Sequence, residues 1–343
     1  MKLIFKIVLA AILSTGISGC SNALYLSQAI IGHCRLMCSR VPIKKILNKN
    51  QLDSAAQDKL RQVLELREFA SKELGLPKNK SYTVYSELKG ENLGWNVYCA
   101  PRFSVEPKQW RFPIAGRVVY RGYFSKKAAL KFARKMEEEG YDLYVSPIGA
   151  YSTLGWFNDP VLSSHLRLDS IQIAGLIIHE LAHQEYYLPG DSQFSESFAV
   201  SVERAGILRW LKSTGSDGQI DKALKMWERQ DTVRVKLLDV RSRLNEIYTS
   251  NLDTATMAQK KDSLLMDLKK DLPWLNRVGA DDKYAAINNA YFVPISTYYS
   301  LVPVFQGMLD SLGGNFTQFY QKVKEIGKLP AKERQRKIES LRK

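Results

Sequence analysis

Apolar residues at helical spacing dominate both ends of this chain, and a cluster of short strand-like runs lies between them. No internal repeat and no long Pro, Ser or Gly linker interrupts the 343 residues. Together these features predict an α+β fold, mostly α-helical, with a small β-sheet and long helical extensions. A hydrophobic content of 45% is ordinary for a globular chain and excludes disorder across the whole sequence.

Residues 1–19 read as a lipoprotein signal peptide. Lys2 and Lys6 form a positive start, Leu3 to Leu13 is mostly apolar, and Ile17-Ser18-Gly19-Cys20 resembles a bacterial lipobox. Small residues ahead of Cys20 admit a signal peptidase, and the Cys20 thiol then carries the lipid. The apolar run is too short to cross about 30 Å of hydrocarbon. Ser21, where a retained lipoprotein would carry Asp, points by resemblance to the periplasmic face of an outer membrane.

The mature chain, 20–343, reads as a single domain. From Lys44 the stretch KKILNKNQLDSAAQDKLRQVLELREFASKELGLP is a long surface helix or helix pair, with Leu60, Val63, Leu64, Leu66, Phe69 and Ala70 apolar and a stop at Gly75 and Pro77. SYTVYSEL, NVYCAPRF and RVVYRGYF are strand-like runs bounded by turn residues. SKKAALKFARKMEEEG is an amphipathic helix, and DLYVSPIGAYSTLGWF returns to extended structure. After Ser195 the pattern is helical almost to the end. An antiparallel hairpin fills about 217–272, with its break at YTSNLDT, and the C-terminal helices beyond it are punctuated by Pro273, Pro294 and Pro303.

Fifty Lys and Arg against 35 Asp and Glu give a formal charge of +15, of which the signal peptide carries Lys2 and Lys6. An exported chain rarely meets nucleic acid, and no aromatic and basic interleaving suited to stacking bases is present. The charge therefore faces anionic envelope material or water. Cys34, Cys38 and Cys99 remain after lipidation, an odd number that argues for free thiols over a disulfide framework.

The chemistry is concentrated in GLIIHELAHQEYYLPGDSQFSESFA, Gly175 to Ala199. An N-cap at Asp169 or Ser170 and the apolar spacing that follows put His179 and His183 on one helical face, four residues apart. Two imidazoles one turn apart can both point at a zinc ion about 2.0–2.1 Å away. Glu180, about 100° round the helix, is directed at water on that metal and can take its proton. A catalytic zinc wants a third protein ligand and an open position. A histidine six residues past His183 is excluded, because Pro189 stands there. Glu196, at the front of the next helix as in gluzincins, is the favoured third ligand, and Asp191 in the LPGD turn is the alternative. Glu203 follows Glu196 at i+7, where it either hydrogen-bonds a ligand histidine or is a solvated glutamate.

The chain resembles the bacterial putative aminopeptidase family of zinc-dependent lipoproteins. The likeness is carried by YLSQAIIGHCRLMCSRVPI, REFASKELGLP, EPKQWRFPIAGRVVYRGYF, AYSTLGWFNDPVLSS, IIHELAHQ with FSESFA, and NNAYFVPISTYYSLVPVF, in that order. It implies a zincin-like core, with His179, His183 and Glu196 as zinc ligands and Glu180 as general base. The chain departs from the family pattern at Ser195, where Asn is usual, and at Arg111 and Arg117, where Cys is frequent. It also lacks the GxMEN-like segment with which gluzincin aminopeptidases hold a free amine.

These readings lead to a zinc peptidase acting on peptide or protein substrates in the envelope, held to the membrane by its lipid. A non-catalytic lipoprotein acting as a binding or assembly factor is the alternative. His165, Tyr186, Tyr298 and Tyr299 are candidates to stabilise the oxyanion, with the Tyr298-Tyr299 pair first because it lies in a family-like block. AYSTLGWF is read either as an edge strand that aligns a peptide or as a buried core strand.

Overall fold

The computed structural model describes residues 19–112, 116–276, 283–298 and 301–341. The fold is mostly helical with small sheets. The signal-peptide reading of residues 1–19 falls almost wholly outside the described residues. Cys20 lies in the first turn of helix α1 (Gly19–Cys38). Among the described residues no helix is long and apolar enough to cross a membrane.

Strand β1 (Val41–Pro42) leads into α2 (Ile43–Asn48) and α3 (Ser54–Lys72). Of the long helix or helix pair expected here the structure has the pair, because the Asp53 carboxylate caps α3 through the Ala56 amide at 2.9 Å. β2 (Val84–Ser86), β3 (Trp95–Pro101), β4 (Trp110–Phe112), β5 (Gly116–Val118) and β6 (Tyr120–Tyr123) follow, then α4 (Lys126–Glu138), β7 (Tyr141–Pro147) and β8 (Val161–Leu162). The main sheet is antiparallel in the order β6-β3-β7 and sets Tyr98 opposite both Tyr120 and Tyr144. A second sheet runs β1-β2-β8, with β8 parallel to β2, and β4 pairs with β5 alone. Extended structure after residue 140 ends at Pro147. AYSTLGWF forms a loop instead of a strand, because Leu154 and Gly155 both adopt left-handed φ, 53° and 83°, which no pleated ladder accepts.

The helical half begins at α5 (Ser170–Glu185) and α6 (Ser192–Ser213), an antiparallel pair. The hairpin helices α7 (Gly218–Thr249) and α8 (Thr254–Asp271) come next, then α9 (Phe292–Tyr298), α10 (Val302–Ser311), α11 (Phe316–Lys328) and α12 (Ala331–Ser340). The largest core gathers Leu60 and Leu66 of α3, Ile177, Ile178 and Leu181 of α5, and Phe194 and Phe198 of α6, with Phe305 and Phe319 beyond. α5 is therefore apolar nearly all round, as a helix buried on several sides must be. Gly206 lets it approach α6: a Cβ there would stand 2.8 Å from Leu74 and 3.1 Å from Ile178. Cys34 and Cys38 are exposed free thiols and Cys99 is a buried one.

The hairpin is tied to the main sheet by a polar clasp. Lys261 of α8, almost fully buried, pairs with Asp142 of β7 and donates to the Arg102 carbonyl at 3.1 Å. Asn289 donates its backbone amide to the same Asp142 at 3.1 Å and its side-chain amide to the Pro101 and Arg102 carbonyls. Removing one partner leaves the other desolvated, so Lys261→Ala should lower unfolding stability by about 3 kcal/mol. Lys270→Ala, whose pair with Asp267 is exposed, should cost under about 1 kcal/mol. Equilibrium unfolding of both variants decides this, and equal losses would contradict the clasp.

Candidate metal centre

α5 starts where its first turn is closed reciprocally. Asp169 accepts from the Gln172 amide at 2.9 Å, and Gln172 accepts from the Asp169 amide at 3.1 Å. The helix stops at Tyr186, which is extended, and Gly190 turns the chain with φ 83°. Asp191 then caps α6 by accepting from the Phe194 amide at 3.0 Å. The buried Ser195 hydroxyl accepts from the Leu188 amide at 3.0 Å and donates to the Leu188 and Asp191 carbonyls. This serine closes the turn and sets how Glu196 enters the space beside α5.

The result is a nearly equilateral triangle of ligand-type atoms. The Nε2 atoms of His179 and His183 stand 3.2 Å apart, and Glu196 Oε2 is 3.2 Å from the first and 3.3 Å from the second. Three donors bound tetrahedrally at about 2.0–2.1 Å stand about 3.3–3.4 Å from one another. His179, His183 and Glu196 thus form a group that could hold a metal ion. His179 Nδ1 lies 3.0 Å from Glu203 Oε2, a contact that fits an Nδ1–H donor and turns Nε2 toward the centre. Buried His183 Nδ1 has no partner among the described residues.

Burial alone would lower the His179 pKa, but the bonds to Glu196 and Glu203 and their charges outweigh it and hold it well above the usual range. Burial likewise pushes Glu196 up, and His179 and His183 overcome it, bringing the carboxyl down to about 2. The two shifts are the two sides of one ion pair, with Glu196 and Glu203 facing His179. Glu180 is buried, stands outside the triangle, and makes no hydrogen bond among the described residues.

The family model described as "Putative aminopeptidase" matches residues 24–338. The chain belongs to this family. Its name denotes peptidase activity. No curated protein and no solved structure matches the chain.

In this member of the family the other candidate residues are distributed unevenly. Asp191 is committed elsewhere, with one oxygen capping α6 and the other 3.1 Å from Arg334. His165 is a core residue: Nδ1 accepts from the Leu162 amide, Nε2 pairs with the Gly149 carbonyl, and burial lowers its pKa to about 4. Tyr186 turns away toward α11, where its hydroxyl fills the space a Gly327 Cβ would take. Tyr298 ends α9, which packs on α6, and Tyr299 lies outside the described residues. The Leu301 amide donates to the Ser197 hydroxyl at 3.3 Å, so this segment runs beside the turn that carries Glu196.

Three tyrosines absent from the sequence reading adjoin the centre. Tyr187 lies edge-on to His183 with ring centroids 6.0 Å apart. Tyr120 of β6 packs on Tyr98 of β3, centroids 5.6 Å apart. Burial, then the Glu196 charge, pushes the Tyr120 hydroxyl up to about 12, yet 38% of its surface stays open. No periodicity in RVVYRGYF distinguishes Tyr120 from its neighbours, since strand pairing alone brings it to the site.

Beside Glu180 lies a wholly buried carboxyl, Asp159. It accepts from the Thr153 amide at 3.1 Å, the Thr153 hydroxyl at 2.7 Å and Gln184 Nε2 at 3.3 Å. Burial, opposed by the Thr153 bonds and reinforced by Glu180, raises it to about 6. The folded chain then holds this proton more tightly than the unfolded chain does. The group's stabilising contribution is full below about pH 4 and is lost as pH rises through about 6, a change of about 3 kcal/mol. Unfolding free energies of wild type and Asp159→Asn measured from pH 4 to 7 should diverge in that direction. A constant difference would contradict the assignment.

Proposed function

We propose that the protein is a zinc-dependent peptidase with a zincin-like core of gluzincin type, lipid-anchored through Cys20 in the cell envelope. The observation that carries this reading is the 3.2–3.3 Å triangle of His179 Nε2, His183 Nε2 and Glu196 Oε2. Two imidazoles and one carboxylate are the donor set of many catalytic zinc sites. Bound there, zinc would supply Lewis acidity that polarises a carbonyl and acidifies water.

The chain's own residues carry the proton and the substrate. Glu180, free of competing hydrogen bonds among the described residues, accepts a proton from the attacking water and returns it to the leaving amine. Glu203 fixes the His179 ring through Nδ1. A phenol donates to the developing oxyanion: Tyr298 or Tyr299 in the family-like block, or Tyr120 of β6. The substrate is a peptide or protein, and nucleic acid is not a partner.

Metal analysis and mass-spectrometric profiling of cleaved peptides test the reading together. Glu180→Gln should keep its zinc and lose at least about 10³-fold in kcat. Zinc should be lost in His179→Ala and Glu196→Ala, whereas Glu203→Gln should weaken its binding about 10–100-fold. Zinc-loaded wild type that cleaves nothing in a broad peptide library would favour a binding or assembly lipoprotein instead. Phe substitutions at Tyr120, Tyr298 and Tyr299 should single out one residue whose loss lowers kcat about 10²–10³-fold at unchanged KM.

A further inference from the structure

We infer that the Tyr151–Phe157 loop, with Trp156 and Leu154 at its tip, recognises an apolar side chain of the substrate peptide; this rests on the peptidase reading above. The tip spends its apolar surface on solvent: Trp156 is 77% exposed and Leu154 39%. A tryptophan side chain can bury about 150–250 Å², so an ordered one left open next to a candidate active site is a recognition surface awaiting a partner.

The tip is held rigidly. The Thr153 hydroxyl accepts from the Phe157 amide at 3.0 Å and donates to Asp159 Oδ1 at 2.7 Å, while the Trp156 amide donates to the Thr153 carbonyl at 3.1 Å. Leu154, with φ 53°, sits in a left-handed conformation that costs a branched residue about 1 kcal/mol or more. On the far side the Tyr151 hydroxyl meets His33 Nδ1 at 2.7 Å, and Phe157 packs on the His33 ring at 4.8 Å. Fixed at both flanks, the loop offers only its tip side chains, with little ordering entropy left to lose on binding.

Its position ties it to the reaction. Gly155 rests on Gln184, whose Cγ would be 3.5 Å from a Cβ at that glycine, and Gln184 Nε2 also donates to Asp159. Gln184 directly follows His183 and stands one turn from Glu180, on the same helical face. A side chain packed on Trp156 therefore brings its own backbone to the side of the site that Glu180 serves. A lipid surface is the competing occupant. Residues 148–159 contain no Lys or Arg to meet anionic headgroups, which favours the peptide.

The test uses zinc-loaded full-length Glu180→Gln protein and synthetic hexapeptides in which one Phe, or one Ser, is moved through every position. Calorimetric titration should find one register in which Phe binds about 10–100-fold more tightly than Ser. Trp156→Ala should abolish that preference while leaving the Ser peptide's affinity, the zinc content and the melting temperature unchanged. In the active protein the same substitution should raise KM for the apolar peptide with kcat held. A Phe preference that survives Trp156→Ala, or no preference in any register, overturns the inference. So does a loss confined to binding of anionic phospholipid vesicles. If wild type cleaves nothing but Trp156-dependent Phe binding persists, the peptidase reading fails and the recognition site stands.

Discussion

The close antiparallel packing of α5 against α6 is the constraint on which the rest depends. The histidines belong to one helix and the carboxylates to the other, so everything chemical follows from how near the two backbones come. Gly206 permits that approach on one side, and Gly175 does so on the other, where a Cβ would stand 3.0 Å from the Glu203 carboxylate. Larger residues would push α6 outward, and both Glu196 and Glu203 would lose their histidines together.

Bringing two carboxylates under cover beside two imidazoles is expensive unless the charges are compensated. The molecule answers with mutual contacts. Glu196 reaches both histidines, Glu203 takes the remaining nitrogen of His179, and the core around Ile178, Leu181 and Phe198 excludes competing water. The raised His179 and the depressed Glu196 are two faces of that one arrangement. The same three atoms could hold a metal ion. Around it the main sheet brings Tyr120 and Tyr98, and the Asp159 network secures the loop that ends in Trp156.

Much of this was legible before any coordinates. HELAH announces two imidazoles on one face because helical periodicity is local, and Glu196 stands out as the next acid able to lie inside a following helix. Asp169, Asp53 and Asp253 cap their helices for equally local reasons. The errors are instructive in the same terms. AYSTLGWF looks extended by composition, yet two consecutive left-handed residues and the Thr153–Asp159 bonds make it a loop, and Asp159 lies at its far end. Tyr186 and His165, offered as candidates whose structural reading stood beside the catalytic one, face α11 and the Gly149 carbonyl, as that structural reading has it.

The sequence by itself determined most helices, the cap at Asp169, the histidine face with its adjacent glutamate, and the α+β character, since each depends on residues within one or two turns of each other. Only the tertiary structure decided which acid meets the histidines, which tyrosines come near them, and that a buried aspartate anchors the loop of an exposed tryptophan. Glu196 reaches His183 and His179 across 13 and 17 positions, and Asp159 meets Gln184 across 25, so packing between elements, not pattern within them, sets such relations.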